Sequence, residues 1–348
     1  MPVTVVVGGQ FGSEGKGKVA YFLAREKGAA AAVRVGGVNS GHTVIDPHGN
    51  PLIFRQLPTA SIIPDVTCIL PAGCYIDLET LFHEISLSGV DTSRVLIDPN
   101  AVIITEEDRI EERKYLKDSI ASTASGTGAA VIRRIGRSGT ILFAKDEPRL
   151  QDFVRPTIPY MREMLKSRQR ILIEGTQGYG LSLLHSKFYP YVTSRDTTAA
   201  AFVSEAGLSP LDVDEVVLTI RAFPIRVGGN SGPLSNEIDW NTVTIESGAD
   251  IPLIEHTSVT KKIRRVARFH PSVVREAICA NNPTEIVLNH LDYIDVECSR
   301  CESLTHKASL FVRDVERLIN QQITYFGFNS ASMVSSAFVN SGAAKCLI

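Results

Sequence analysis

Short apolar runs alternate with stretches of helical periodicity along this chain. Val3–Val7 is a continuous β-branched run and predicts a buried strand, followed by a Gly-rich loop and a helix over Lys18–Lys27. Ala31–Val35 predicts a second strand. Asp77–Leu87 reads as a helix because Leu78, Leu81, Phe82 and Ile85 share one face. Val95–Ile97, Arg170–Ile173, Val216–Ile220 and Glu285–Leu288 predict further strands. Glu106–Lys117 predicts a charged helix, Leu150–Ser167 a helix interrupted or restarted at Pro156 and Pro159, and Pro271–Cys279 and Leu310–Asn320 two more. Continuously apolar strands separated by helices imply an α/β fold: a central, mostly parallel sheet flanked by helices on both faces. No repeat, low-complexity segment or flexible linker interrupts the pattern, which favours one large domain over 1–348.

Charge and cysteine content narrow the function. The 36 Lys+Arg against 38 Asp+Glu leave a net charge of −2, which argues against a nucleic-acid or membrane-surface binder. The N-terminus shows no basic n-region and no small-residue cleavage site after an apolar core, so it does not read as a signal peptide, and no apolar run reaches the ~20 residues of a membrane span. A cytoplasmic protein is expected. Six cysteines are too few for a disulfide scaffold. Cys298 and Cys301 form one CxxC pair without a clear second pair of zinc ligands, so reduced thiols in a turn are expected.

The loop Gly8-Gly9-Gln10-Phe11-Gly12-Ser13-Glu14-Gly15-Lys16-Gly17-Lys18 follows a strand and opens a helix. Glycines there let backbone N–H groups approach phosphates, and a helix N-terminus favours negative charge. Gly12 to Lys18 satisfies most of a P-loop pattern, but Val19 supplies no hydroxyl for Mg²⁺.

This loop resembles the nucleotide loop of the adenylosuccinate synthetases, which join aspartate to a purine 6-oxo group at the expense of a nucleoside triphosphate. Further segments carry the resemblance: Asn39-Ser40-Gly41-His42-Thr43, Ser122 to Gly128, Glu174 to Gly178, Tyr189 to Asp196, Arg226 to Gly229, Thr257 to Val266, Asn289 to Asp292, and Gly327-Phe328. The resemblance implies catalytic roles for Ser13, Glu14, Lys16 and His42, and Mg²⁺ contacts at Ser13 and the Gly41 carbonyl. It implies monophosphate contacts at Asn39, Ser125, Gly126, Gln177, Thr193 and Arg226. One of Arg133, Arg134 and Arg137 would cross a homodimer interface to the same phosphate, with Arg134 and Arg137 the monophosphate-binding candidates. Thr260, Lys262 and Arg264 would clamp the aspartate carboxylates, with Lys262 where arginine is usual. Gly12, Gly15, Lys16, Gly17, Lys18, Asn289, Asp292 and Gly327 would hold the triphosphate, with His290 in place of the usual lysine.

Ser13 stands where the family carries the aspartate that takes the N1 proton of inosine monophosphate. A serine hydroxyl is no base near pH 7, but it leaves a smaller, neutral neighbour for the purine edge, with room for a 2-amino group. A phage branch of the family has this serine and makes 2-amino-deoxyadenylosuccinate from dGMP and aspartate, a step toward 2-aminoadenine DNA. It is associated with ATP or dATP as donor, which fits His290; GTP stays possible. The expected substrates are therefore dGMP, L-aspartate and a nucleoside triphosphate, joined through a 6-phosphoryl intermediate. Glu14, a Mg²⁺-bound water or the donor phosphate would take the N1 proton. The alternatives are an ordinary synthetase acting on inosine monophosphate, an NTP-driven switch on a P-loop fold, and an inactive nucleotide sensor.

Overall fold

A computed structural model of the chain describes residues 2–115, 123–137, 139, 141–257 and 261–337. The strands of its large sheet are β1 (Val3–Gly8), β2 (Ala29–Arg34), β3 (Thr67–Leu70), β4 (Val95–Ile97), β5 (Arg170–Glu174), β6 (Val213–Arg221), β7 (Glu285–Asn289), β8 (Tyr325–Gly327) and β9 (Met333–Ser335). Their order across the sheet is β9-β8-β7-β6-β1-β5-β2-β3-β4. All neighbours run parallel except β8 and β9. β1 lies between β6 and β5, with Val5 opposite both Val216 and Ile173.

Every residue of β1 is buried, because both sheet faces are covered. Side chains alternate across a strand. Val5 and Val7 therefore join a core with Phe202 of α6 (Ala199–Ala206) and Val274 and Ala277 of α8 (Pro271–Asn281). Val6 turns to the other face, against Val19 and Leu23 of α1 (Lys16–Glu26). The remaining helices are α2 (Leu78–Ser88), α3 (Glu106–Tyr115), α4 (Thr127–Gly136), α5 (Thr157–Lys166), α7 (Trp240–Ser247), α9 (Glu297–Cys301) and α10 (His306–Ile319). None among the described residues is long and apolar enough to cross a membrane.

Where the elements differ from the sequence reading, local chemistry explains it. α1 begins at Lys16, two residues early, because Gly15 takes the left-handed conformation (φ 87°) that caps it. α5 starts only after Pro156 and carries Pro159 in its first turn, where a missing N–H costs no helical hydrogen bond. α10 begins at His306 because the Thr305 side chain accepts from the Ala308 N–H. Three short pairings lack a periodic signal: His42–Ile45 with Pro51–Phe54, Tyr75–Ile76 with Val102–Ile103, and a small antiparallel sheet of Ile225–Arg226, Glu237–Ile238 and Arg265–Ala267.

Candidate active site

The loops after β1, β2, β5, β6 and β7 open onto a cavity of about 480 Å³ at the carboxyl edge of the sheet, the usual ligand position in open parallel sheets. Of the residues singled out from the sequence, its wall carries Gly12, Ser13, Gly15, Lys16, Gly17, Lys18, Asn39, Gly41, His42, Gln177, Thr193, Arg226, Lys262 and Arg264. Glu14, Ser125, Gly126, Asn289, Asp292 and Gly327 lie behind the wall or beside it. Thr260 lies outside the described residues.

Glu14 organises the Gly-rich loop from within. Its carboxylate is fully buried, accepts from the N–H groups of Gln10 (3.1 Å) and Gly12 (2.9 Å), and pairs with Lys16 Nζ at 2.5 Å. The loop is thus tied to itself, and Gly15, Lys16 and Gly17, which open α1, line the cavity at a helix N-terminus. Lys18 is occupied differently. Its Nζ donates to the carbonyls of Asn329 (2.7 Å) and Ser332 (3.1 Å), and burial lowers its pKa to about 8 against the opposing charge of Asp292.

His42 sits in a buried trio with Arg34 and Glu174, residues 8 and 132 positions away from it. Its Nδ1 is 2.5 Å from Glu174 Oε1 and 2.6 Å from Arg34 Nη1, while Arg34 and Glu174 are themselves 3.3 Å apart. A proton on Nδ1 satisfies Glu174 and leaves the Nε2 lone pair, so only one of the two Nδ1 contacts is a hydrogen bond in a given tautomer. Glu174 also accepts from the N–H (2.8 Å) and hydroxyl (2.9 Å) of Thr59, which fixes its position. Burial lowers the His42 pKa to about 3, the Arg34 charge adds to this, and the Glu174 hydrogen bond opposes both. The free ring is neutral at pH 7. A phosphoryl group arriving at Nε2 would favour the protonated ring, which is what a donor to developing phosphoryl charge requires.

The opposite end is built from hydroxyls and arginines. Ser125 Oγ contacts Thr127 Oγ1 (3.2 Å) and Thr123 Oγ1 (3.3 Å) at the start of α4, and Gly126 caps that helix with φ 84°. Thr123 and Gly128 reach the cavity wall there. Asn39 Nδ2 donates to Thr193 Oγ1 at 3.4 Å. Arg226 lies over the Phe11 ring (4.2 Å) and the Phe188 ring (5.0 Å) and donates to the Ser231 carbonyl. Its Nε and Nη2 are buried without a hydrogen-bond partner among the described residues. Burial, with Arg265 nearby, lowers its pKa to about 10. Arg133 is ion-paired with Asp108 (2.7 Å), and Arg134 donates to the Ala72 carbonyl (2.7 Å). Arg137 is exposed at the end of α4.

Behind the Gly-rich loop, Asn289 Nδ2 donates to the Glu14 carbonyl at 2.7 Å. Gly327 packs so closely that a Cβ there would fall 1.9 Å from Asn289 Oδ1. Asn289 Oδ1 and Asp292 Oδ1 are buried without a partner among the described residues, as acceptors that await an N–H donor would be. Burial pushes the Asp292 pKa up to about 6, although Lys18 opposes it.

On the amino-acid side Arg264 donates to Ser13 Oγ and to the His256 carbonyl (3.1 Å). Two residues outside the sequence-based set complete this corner. Arg221, fully buried at the end of β6, donates to the Ser13 carbonyl at 2.8 Å and binds Glu255 with both terminal nitrogens. Burial pushes the Glu255 pKa up, but the Arg221 charge and hydrogen bond outweigh it and hold the carboxyl at about 2. Among the described residues no group of three His, Cys, Asp or Glu could cage a metal. Mg²⁺ brought in on donor phosphates fits this wall, where Ser13 Oγ and the Gly41 carbonyl are neutral oxygens, but it would share Ser13 Oγ with Arg264. When bound, such an ion neutralises phosphate charge.

Comparison with known proteins agrees with this geometry. The family profile described as adenylosuccinate synthetase matches residues 5–147 and 142–298. The adenylosuccinate synthetase of Methanocaldococcus jannaschii is 34% identical over 330 residues, 92% of each chain. That of Archaeoglobus fulgidus is 33% identical over 331 residues, 93% of this chain and 94% of the relative. Among solved structures, the succinoaminodeoxyadenylate synthetase of cyanophage S-2L, bound to dGMP and to dATP as an energy donor, superposes with a TM-score of 0.81 and 29% identity over 98% of both chains. The fully ligated adenylosuccinate synthetase of Plasmodium falciparum shares the fold, with a TM-score of 0.84 and 20% identity over 97% of this chain and all of that one. The chain belongs to the adenylosuccinate synthetase family, and is a C–N bond-forming ligase that uses aspartate and a nucleoside triphosphate.

Proposed function

We propose that this ligase joins L-aspartate to C6 of dGMP, giving 2-amino-2′-deoxy-N6-succinyladenylate. The observation that carries the reading is Ser13. It places a small neutral side chain on the cavity wall where the family resemblance puts a carboxylate, and the cyanophage S-2L relative binds dGMP.

In the proposed reaction O6 of the base attacks the γ-phosphorus of the donor and the nucleoside diphosphate leaves. The aspartate amine then adds at C6 and phosphate departs. The Gly-rich loop holds the donor phosphates and His42 stabilises the transferring group. Lys262 and Arg264 hold the aspartate carboxylates, with Thr260 as the proposed third member of that clamp. Asn39, Ser125, Gly126, Gln177, Thr193 and Arg226 hold the monophosphate. Glu14 is a poor candidate for taking the N1 proton, since it lies behind the wall in its pair with Lys16. A water or a donor phosphate oxygen is the better acceptor.

ATP or dATP is the proposed donor. His290 supports this, as does the dATP bound to the cyanophage relative. Arg137 is the proposed cross-dimer arginine, because Arg133 and Arg134 are engaged within the chain. Ile132 and Ile135, 68% and 69% exposed on the same helix, would pack against the second copy. Sedimentation at micromolar concentration should give a dimer; a monomer would contradict this part.

A second reading, an ordinary synthetase using inosine monophosphate, is favoured by the names of the relatives at 33–34% identity. The test is to incubate the protein with Mg²⁺, aspartate, either monophosphate and each of ATP, dATP and GTP, and to weigh the products. Adduct from dGMP supports the proposal. Adduct from inosine monophosphate alone sinks it.

A further inference from the structure

Four side chains form a closed ring at the boundary between the purine edge and the amino-acid clamp. Arg221 Nη1 donates to the Ser13 carbonyl (2.8 Å) and to Glu255 Oε2 (3.2 Å). Glu255 Oε2 lies 3.7 Å from Arg264 Nε, and the Glu255 carbonyl accepts from the Arg264 N–H at 2.9 Å. Arg264 Nη1 closes the ring on Ser13 Oγ. Ser13 needs such support, because it is a non-glycine residue at φ 56°. Arg221 is anchored from behind: its N–H and carbonyl pair with the Gln10 side chain at 2.9 and 3.1 Å.

A buried arginine–carboxylate pair is a poor source of stability compared with well-packed apolar residues, and its best-attested use is to specify one geometry. We infer that Arg221 and Glu255 are a positioning pair that holds residue 13 and Arg264 in one register. The carboxylate clamp and the purine-edge loop then move as a single piece. Arg221 fixes the loop through its backbone, Glu255 orients the guanidinium of Arg264, and Arg264 reports its own position to the Ser13 hydroxyl. An amino-acid carboxylate that draws on Arg264 is thereby felt at the edge of the base. The roles of the clamp and the loop rest on the proposed function; the coupling itself does not.

The test uses Glu255→Gln, Arg221→Lys and Arg221→Met in the full chain, with two readouts. The first is amide hydrogen exchange without ligands. Glu255→Gln, 242 positions from Ser13 in sequence (255 minus 13), should speed exchange in residues 9–15 about tenfold while β1 and β6 stay unchanged. No change in 9–15, or an equal rise throughout the chain, overturns the pair. The second is kinetic. The KM for aspartate should rise about tenfold or more and the KM for the monophosphate by less, through the loosened residue 13, and Arg221→Lys should recover part of what Arg221→Met loses. Equal losses for all substrates, or no difference between lysine and methionine, overturn it as well. A wild-type protein that forms no adduct would refute the proposed function, while the exchange readout would still decide the pair.

Discussion

The phosphate side and the amino-acid side of the cavity are built in opposite ways. On the phosphate side the Gly-rich loop and His42 are tied to partners within the chain, while Arg226, Asn289 and Asp292 keep buried polar atoms without one among the described residues. Glu14 holds two loop N–H groups and Lys16, Asn289 holds the Glu14 carbonyl, and His42 is fixed by Glu174. On the amino-acid side Lys261, Lys262 and Ile263 are exposed, and the strongest fixed contacts come from Arg221 and Glu255 behind them. Under the proposed function, the difference is between a preorganised wall for phosphoryl transfer and an aspartate clamp held from one side and completed by its ligand.

Disturbing the self-bonded side should have the largest effects. Glu14→Gln leaves Lys16 buried without its counter-charge and should cost about 3–5 kcal/mol of stability, read by urea unfolding. A change below about 1 kcal/mol would show that the loop does not depend on the pair. His42→Asn should lower kcat by roughly 10²–10⁴ with the aspartate KM little altered, if the ring acts on the transferring group as proposed. A purely KM effect would place His42 in binding instead.

Smaller effects sharpen the contrast. Ser13→Asp puts a second carboxylate beside Glu255 within reach of Arg264, and returns a base to the purine edge. The dGMP to inosine monophosphate preference should fall by about tenfold or more. An unchanged ratio would remove Ser13 from specificity. Asp292 should confer a pH dependence on the donor. Its carboxyl, pushed up by burial to about 6, is ionised above that pH and protonated below it. An acceptor for a base N–H is therefore lost as pH falls through about 6, and the donor KM should rise there by a few-fold. Asp292→Asn should flatten the profile; a persisting rise would assign the titration elsewhere.

The sequence was most legible where spacing is local. β1, the Gly-rich loop and α1 follow from β-branched periodicity and glycine placement within about twenty residues. The amide and hydroxyl positions Asn39, Gln177 and Thr193 came from motif resemblance, and they do converge on the cavity wall. What could not be read was long-range pairing. Arg34, Glu174 and Arg221 are single charged residues that close apolar strands, and Glu255 is a lone acid in a loop; alone none announces a partner. Their partners lie 140 positions apart for Arg34–Glu174 and 34 for Arg221–Glu255. One local signal was available: an arginine closing a buried parallel strand must be paired, because its charge cannot be left desolvated. Lys18 is a further case: its amine is bound by the carbonyls of Asn329 and Ser332, 311 and 314 positions away.

The most direct measurement is a competition in one tube. Equal dGMP and inosine monophosphate are supplied with aspartate, Mg²⁺ and dATP, and the two succinyl adducts are counted by mass at early times. The account predicts that the adduct of dGMP dominates by about tenfold or more, the ratio of the two kcat/KM values. A dominant inosine monophosphate adduct would contradict it.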